Sequence, residues 1–264
     1  MSRIADTFRE LRHEGRTALI PYLTMGFPEV DSALSLVPAL AAGGADLIEL
    51  GLPFSDPLAD GPTIQAASQR ALENGMTLAL CLTQATALRE LGVTTPFITM
   101  GYYNPIYQYG LERYAAEAVA AGIHGVIIPD LPPEEAGATM CAFETAGLDL
   151  IFLLAPTSDA ARVRLVTDRS RGFVYLVSLV GTTGARGSVA GDLPAFVERV
   201  RAVTDKPLAV GFGISTPDQA ARVAAMADGV IVGSALIRAI GDSKAPARAA
   251  REFMEALRTG MDGA

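Results

Sequence analysis

Short apolar segments alternate with longer helical segments along the whole chain, and this alternation restricts the possible folds more than any other feature. Eight of the apolar segments have the length and β-branched content of strands, and each is followed by an Ala- and Leu-rich segment with helical spacing. Nearly continuous apolar strands are typical of a parallel sheet that is covered on both faces. The predicted strands are residues 18–23, 47–50, 97–100, 125–128, 150–153, 173–177, 208–210 and 229–232.

Eight strand–helix units within 264 residues predict a single (β/α)8 barrel domain over residues 1–264. An extra amphipathic helix at about 2–14 precedes the first strand, and a short extra helix precedes the last helix. The alternative is an open doubly wound sheet, which is disfavoured because no Gly-x-Gly-x-x-Gly motif opens the first unit and no linker divides the chain. The other predicted helices lie near 31–43, 62–91, 111–121, 133–146, 158–170, 191–204, 216–226 and, as a helical tail, 234–258.

Composition excludes several classes of partner. The net charge is −8, which argues against a nucleic-acid surface, and no apolar run approaches the roughly 18 residues that span a bilayer. The first residues lack the apolar core of a secretory signal. Cys81 and Cys141 lie in helix-like segments without metal-ligand spacing, so we expect packed, reduced thiols in a cytoplasmic protein.

Three glycine-rich segments follow the last three predicted strands. They are residues 181–184, 211–213 and the Gly233-Ser234 pair. The corresponding loops are neighbours at one rim of a barrel, where backbone amides and the start of a short helix commonly bind phosphate. We therefore expect a phosphate group held by backbone amides, which needs no basic side chain.

The few basic side chains suited to catalysis are poorly placed for it. Lys206 precedes the seventh strand and Lys244 lies in the C-terminal helical region, so a Schiff-base lysine at the rim is disfavoured. His13 lies in the leading helix and His124 enters the fourth strand from its amino end. They are interpreted as surface or structural histidines, and no metal site is predicted.

Glu49 and Asp60 are the main catalytic candidates that remain. Glu49 lies inside the apolar second strand, where a lone carboxyl is costly and favours its neutral form. Asp60 lies on the Pro- and Gly-rich loop that follows, where a carboxylate stays ionised. Two structural alternatives stay open: Glu49 could belong to a buried ion pair, and Asp60 could cap the helix that starts near Pro62.

Six motifs resemble the tryptophan synthase alpha chain family. The most specific is the acidic-loop segment at residues 50–62, LGLPFSDPLADGP. The similarity extends in consistent order from about residue 18 to 238. The other five segments are 22–28 (YLTMGFP), 100–105 (MGYYNP), 129–132 (PDLP), 181–185 (GTTGA) and 211–215 (GFGIS).

This resemblance implies cleavage of indole-3-glycerol phosphate into indole and glyceraldehyde 3-phosphate by a retro-aldol step. It implies that Glu49 exchanges protons with the C3′ hydroxyl and with indole C3, and that Asp60 binds the indole N–H. Thr183 would close over the substrate and orient Asp60. The implied substrate-binding residues are Tyr22, Met100, Ile127, Pro129, Leu153, Tyr175, Thr183, Gly184, Gly211, Phe212, Gly213, Gly233, Ser234 and Ala235.

The resemblance also implies a partner, a beta chain that carries pyridoxal phosphate in an alpha2beta2 tetramer, with no cofactor on this chain. Proline-rich loops at the catalytic rim lose little entropy on docking, although they could equally be plain turns. The alternatives are another phosphate-binding barrel, such as an isomerase, or a non-catalytic regulatory partner. The implied interface residues are Pro53, Phe54, Ser55, Asp56, Pro57, Asn104, Pro105 and Pro132.

Overall fold

A computed structural model describes residues 2–177, 193–211 and 213–263. These residues form nine parallel strands, which belong to one sheet in the order β5-β4-β3-β2-β1-β9-β8-β7-β6. The strands are β1 (Ala18–Thr24), β2 (Ile48–Gly51), β3 (Phe97–Met100), β4 (Ile123–Ile127), β5 (Asp149–Ile151), β6 (Leu153–Leu154), β7 (Val174–Val177), β8 (Leu208–Gly211) and β9 (Gly229–Val232).

Helices follow the strands and cover the outside of the sheet. The described helices are α1 (Arg3–His13), α2 (Ala33–Ala42), α3 (Pro62–Glu73), α4 (Leu78–Glu90), α5 (Tyr103–Tyr109), α6 (Leu111–Ala120), α7 (Gly137–Ala146), α8 (Ala160–Arg169), α9 (Leu193–Arg201), α10 (Pro217–Ala224), α11 (Ser234–Gly241) and α12 (Pro246–Asp262).

The sheet closes on itself through a broken fifth strand. The two end strands, β5 and β6, are separated only by Phe152, so together they form one barrel strand. Both backbone groups of Phe152 remain hydrogen-bonded, because its N–H donates to Ser170 Oγ (2.9 Å) and its carbonyl accepts from Tyr175 N–H (3.1 Å). The predicted (β/α)8 barrel is therefore confirmed, and the open doubly wound alternative is wrong.

The leading helix α1 closes the amino end of the barrel. Ile4, Phe8 and Leu11 recur at helical spacing and are all buried. Gly125 makes room for Ile4, because a Cβ there would lie 2.6 Å from Ile4 Cδ1. Phe8 packs on Phe173 with ring centroids 5.6 Å apart. The candidate site residues lie at the opposite, carboxyl end of the strands.

Several predicted boundaries need correction. The single helical segment predicted at 62–91 is two helices, because Gly75 adopts a left-handed φ of 87° and Thr77 caps a new helix with its side chain. Helix α7 begins at Gly137 rather than at 133. The predicted helical tail at 234–258 is two helices, and the first of them, α11, is the short extra helix that was predicted before the last helix. Cys81 is buried, but Cys141 is exposed and is not the packed thiol that was expected.

An unpredicted helix, α5, follows β3 at the rim. Tyr103, Asn104 and Pro105 lie in its first turn, whereas the sequence suggested only a loop there. Proline is tolerated in a first helical turn because the amide groups of that turn have no intrahelical acceptor. In the described part of the chain, no helix is both long and apolar enough to cross a membrane, and no group of three or more His, Cys, Asp or Glu side chains could hold a metal ion.

Candidate active site

Glu49 is a fully buried carboxyl group that has no hydrogen-bond partner among the described residues. It pairs in register with Tyr22 on β1 and with Ile98 on β3, so it lies inside the barrel wall. Its side chain is 0% exposed, and neither carboxyl oxygen is bonded by any described residue. The buried ion-pair alternative is therefore wrong for the described structure. Burial raises the pKa of Glu49 to about 8, which keeps the group mostly neutral at pH 7.

Asp60 lies on the loop between β2 and α3 and is held by a tyrosine. Its Oδ2 accepts a hydrogen bond from Tyr102 Oη at 3.1 Å. The N-cap of α3 is Gly61 and no side chain caps that helix, so the capping alternative for Asp60 is wrong. Partial burial raises the pKa of Asp60, and the Tyr102 hydrogen bond opposes that rise by favouring the carboxylate.

Two tyrosines bring their phenol groups to the same region. The Tyr22 hydroxyl stands over Gly51, where a Cβ would lie 2.2 Å from Tyr22 Oη, and Tyr175 stands over Gly211 in the same way. Burial raises the pKa of both phenols, and the nearby carboxyl groups of Glu49 and Asp60 raise it further. Both tyrosines are therefore neutral hydroxyl groups near the two candidate acids.

The predicted apolar lining comes from neighbouring strand ends. Met100 and Ile127 are in register with Gly51, two residues beyond Glu49 on the same face. Leu153 is in register with Tyr175. Pro129 is half-buried two residues beyond the end of β4. These positions form an apolar wall around the mouth of the barrel, which suits a flat aromatic ring.

Backbone amides for an anion lie beside this wall. Gly211 ends β8, and Gly233 connects the adjacent β9 to α11, which begins at Ser234. The first amides of α11, including that of Ala235, have no intrahelical acceptor and lie at the positive end of the helix. A Cβ at Gly233 would lie 3.5 Å from Tyr22 Cβ, so this helix start adjoins the tyrosine beside Glu49.

Gly213 adopts a left-handed φ of 82° just after β8 and is exposed. That conformation suits glycine, which can present its backbone closely to a ligand. The other predicted contacts of the phosphate and of the closing loop, Thr183, Gly184 and Phe212, lie outside the described residues.

The basic groups that the sequence excluded from catalysis are indeed remote from the carboxyl ends of the strands. Lys206 Nζ, which precedes β8, donates to the carbonyls of Thr167, Asp168 and Ser170 at 2.5 to 3.1 Å. His124 lies on β4, where its Nδ1 accepts from Phe97 N–H at 3.4 Å. Burial, with Arg89 and Arg3 nearby, lowers the pKa of His124 to about 4.

Comparison with known proteins identifies the family of this chain. The family model described as tryptophan synthase alpha chain matches residues 8–263. A tryptophan synthase alpha chain from Roseiflexus castenholzii is 56% identical over 260 residues, which cover 98% of this chain and 100% of that protein. Another from Chloroflexus aurantiacus is 57% identical over 237 residues, which cover 90% and 89% of the two chains.

Solved structures give the same result. The crystal structure of tryptophan synthase subunit alpha from Legionella pneumophila superposes with a TM-score of 0.93 at 40% identity and covers 100% of both chains. A Mycobacterium tuberculosis tryptophan synthase structure gives a TM-score of 0.90 at 42% identity over 98% of both chains. This chain belongs to the tryptophan synthase alpha chain family.

The resemblance inferred from the six motifs is therefore confirmed. Members of the tryptophan synthase alpha chain family cleave indole-3-glycerol phosphate to indole and glyceraldehyde 3-phosphate and work with a beta chain. The chain is accordingly a carbon–carbon lyase of tryptophan biosynthesis, and a beta-chain partner is implied.

The segments predicted to contact the beta chain lie together at the rim. Tyr103 N–H donates to Asp130 Oδ1 at 2.9 Å, which ties the start of α5 to the loop that contains Pro132. Ser55, Asp56 and Asn104 are exposed, whereas Pro53, Phe54, Pro57, Pro105 and Pro132 are half-buried. These positions are compatible with an interface, which stays a prediction.

Sequence reasoning missed two exposed apolar residues beside these segments and one buried tyrosine. Leu58 is 93% exposed on the Asp60 loop, and Tyr107 on α5 is 56% exposed. A leucine in an otherwise Pro-, Asp- and Gly-rich loop was a usable signal for Leu58. Tyr102 lies in the 100–105 motif but was given no role, because its contact with Asp60 depends on the path of the loop.

Proposed function

We propose that Glu49 and Asp60 carry out the retro-aldol cleavage of indole-3-glycerol phosphate on this chain. The observation that supports the proposal most strongly is Glu49: a fully buried carboxyl group with no partner among the described residues, and with a pKa of about 8. Such a group is costly to the fold and is poised to give and take a proton near neutral pH.

Glu49 acts first as an acid and then as a base. Its neutral carboxyl group donates a proton to indole C3, which leaves a positive charge on the ring nitrogen. The resulting carboxylate takes the proton from the C3′ hydroxyl, the new carbonyl forms, and the electrons of the C3–C3′ bond return to the ring. Indole leaves with the donated proton, and Glu49 is neutral again. Because the indole ring accepts the electron pair, the step requires no Schiff base.

Asp60 stabilises the charge that develops on the ring. Its carboxylate accepts the indole N–H and attracts the positive charge that appears when C3 is protonated. The Tyr102 hydrogen bond supports this role, because it favours the ionised form of Asp60. The two acids thus work in opposite protonation states, as their different surroundings suggest.

The remaining predicted residues hold the substrate. The amides at Gly213, Gly233, Ser234 and Ala235 bind the phosphate group, with Gly211 at the neighbouring strand end. The slot for indole lies between Tyr22, Tyr175 and the strand-end apolar residues Met100, Ile127, Pro129 and Leu153. Thr183, Gly184 and Phe212 complete the site by analogy with the family.

The proposal treats residues 1–264 as one catalytic domain that docks by its rim on a beta chain in an alpha2beta2 tetramer. Pyridoxal phosphate belongs to that partner, and the chemistry proposed for this chain uses only its own side chains. Leu58 and Tyr107 add exposed apolar surface beside the predicted interface. The two free cysteines are consistent with a cytoplasmic location.

The decisive assay is indole release from indole-3-glycerol phosphate, with and without a beta chain. We expect indole in both conditions and more in the complex. Asp60→Asn should remove turnover while the circular dichroism spectrum is unchanged. Glu73→Gln, an exposed carboxyl at the end of α3, serves as the matched control and should keep turnover. No indole in either condition would refute the lyase function on this chain.

A further inference from the structure

Tyr102 makes three contacts with the loop that contains Asp60. We define the Asp60 loop as residues 52–61. The Tyr102 hydroxyl accepts the Ala59 N–H at 2.9 Å and donates to Asp60 Oδ2 at 3.1 Å, and its ring contacts Phe54 with centroids 5.3 Å apart. Tyr102 itself is 6% exposed, and its backbone lies at the rim between β3 and α5, where it is the N-cap residue of α5.

The other hydrogen bonds of Asp60 involve its backbone and not its carboxylate. Gln65 Nε2 donates to the Asp60 backbone carbonyl at 2.9 Å, and the Asp60 N–H donates to the Pro57 carbonyl at 3.0 Å. These bonds fix the backbone but leave the side chain free to rotate. In the part of the chain that is described, Tyr102 is the one side chain that hydrogen-bonds the Asp60 carboxylate.

We propose that Tyr102 is a positioning residue for Asp60: its hydroxyl, fixed to the rim, aims the carboxylate at the indole nitrogen by bonding the loop amide and the carboxylate together. The proposal rests on the proposed role of Asp60. Because one hydroxyl group uses its lone pair for Ala59 and its proton for Asp60, loss of that group frees both at once. The carboxylate then samples other rotamers, and fewer of them bind the ring N–H.

The same hydrogen bond also acts on the pKa of Asp60, which burial raises and this bond lowers. Within the described residues, the titratable groups near Asp60 are the phenols of Tyr102, Tyr22 on β1 and Tyr175 on β7. Asp130 adds a negative charge near Tyr102, and Glu49 lies near the other two phenols. The described residues form no ion pair with Asp60, so Tyr102 is the group that offsets the effect of burial. Removing the hydroxyl should therefore raise the pKa of Asp60.

Tyr102→Phe separates the hydroxyl from the ring. Phenylalanine keeps the contact with Phe54 and the buried shape, so the fold is retained. Since hydrogen bonds to a charged group are the stronger class, we expect kcat/KM to fall at least ~10-fold. We expect the acid limb of the kcat/KM profile to move up by about one pH unit, because an ionised Asp60 is required and its pKa rises. The substrate phosphate titrates identically in both enzymes and cancels in the comparison.

Tyr114→Phe is the matched control. Tyr114 is fully buried on α6 and its hydroxyl bonds Thr99 Oγ1 at 2.6 Å, away from both acids. This variant loses a buried hydroxyl bond and some thermal stability, but its acid limb should stay in place. All profiles are measured below the Tm of the least stable variant.

The results of these experiments separate the role of Tyr102 from the proposed function of the chain. A fall in kcat/KM with a shifted acid limb in Tyr102→Phe alone supports the inference. A wild-type rate, or a uniform loss of rate without any shift of the acid limb, would overturn it and leave the lyase function standing. An inactive wild-type chain would overturn the proposed function and this inference with it.

Discussion

Replacing Glu49 with glutamine should remove turnover, and it should also remove the loss of stability that the wild-type fold undergoes as the pH rises toward 8. Glu49 is 0% exposed, and burial raises its pKa from 4.5 to about 8. The folded chain therefore keeps the Glu49 proton in the pH range where the unfolded chain has lost it. Stability contributed by the neutral carboxyl is complete below about pH 4.5 and is lost progressively as the pH rises to about 8.

The change in the free energy of unfolding follows from the shift in the pKa of Glu49. At 1.36 kcal/mol per pKa unit, the 2.5 units between 4.5 and pH 7 correspond to roughly 3 kcal/mol, and the whole shift to nearly 5 kcal/mol. Glutamine does not ionise, so Glu49→Gln escapes this pH-dependent cost. The unbonded amide adds a contribution that does not vary with pH and cancels when two pH values are compared. For a chain of this size, 3 kcal/mol is roughly 5 to 10 °C in Tm.

Urea unfolding of wild type and Glu49→Gln at pH 4.5 and pH 7 measures the difference directly. From pH 4.5 to pH 7, we expect the free energy of unfolding of Glu49→Gln to rise by about 3 kcal/mol relative to that of the wild type. Glu198→Gln, an exposed carboxyl on α9, is the control and should show no comparable gain. The wild-type kcat/KM should also fall above about pH 8, as the neutral form of Glu49 is lost. Parallel stability curves for wild type and Glu49→Gln would refute the argument that burial sets this pKa.

Four further variants test separate parts of the site. Asp60→Asn should abolish indole release with an unchanged Tm, and near-normal turnover would contradict the role of the carboxylate. Gly51→Ala should destabilise the fold by roughly 1–3 kcal/mol, because the new Cβ would lie 2.2 Å from Tyr22 Oη. Tyr22→Leu should recover most of that loss in a thermal melt of the double variant, and no recovery would argue against this clash. Leu58→Asp, at a residue 93% exposed, should weaken binding to a beta chain in calorimetry while the basal lyase rate stays the same, and unchanged affinity would remove Leu58 from the interface.

The parts of the site that the sequence predicted are those fixed by regular structure. Glu49 could be placed inside a barrel strand because a short apolar run bounded by Gly- and Pro-containing segments is typical of a buried strand, and the alternation of strand–helix units predicted the closed barrel. The same alternation put Lys206 and His124 away from the catalytic rim, as the structure finds them. These inferences depend only on periodicity and on the direction of parallel strands.

The errors fall where local sequence competes with tertiary contacts. Residues 62–91 keep a helical pattern throughout, yet Gly75 turns the chain and two helices form. Asp60-Gly-Pro reads as a helix start with an aspartate cap, but the carboxylate bonds Tyr102, 42 residues away in sequence, instead. A side chain that can cap a helix or bond a distant hydroxyl is assigned only by the path of the loop.

Glu49 and Asp60 show most clearly what the sequence determined and what only the tertiary structure decided. The sequence by itself determined that a lone acid lies in an apolar strand, that a second acid follows on a loop, and that neither lysine nor histidine competes with them at the rim. Only the tertiary structure decided that Glu49 has no partner among the described residues, that its pKa is raised to about 8, and that Tyr102 holds Asp60. The reason is physical: strand periodicity is local, whereas desolvation and hydrogen bonding depend on which distant residues fill the space around a group.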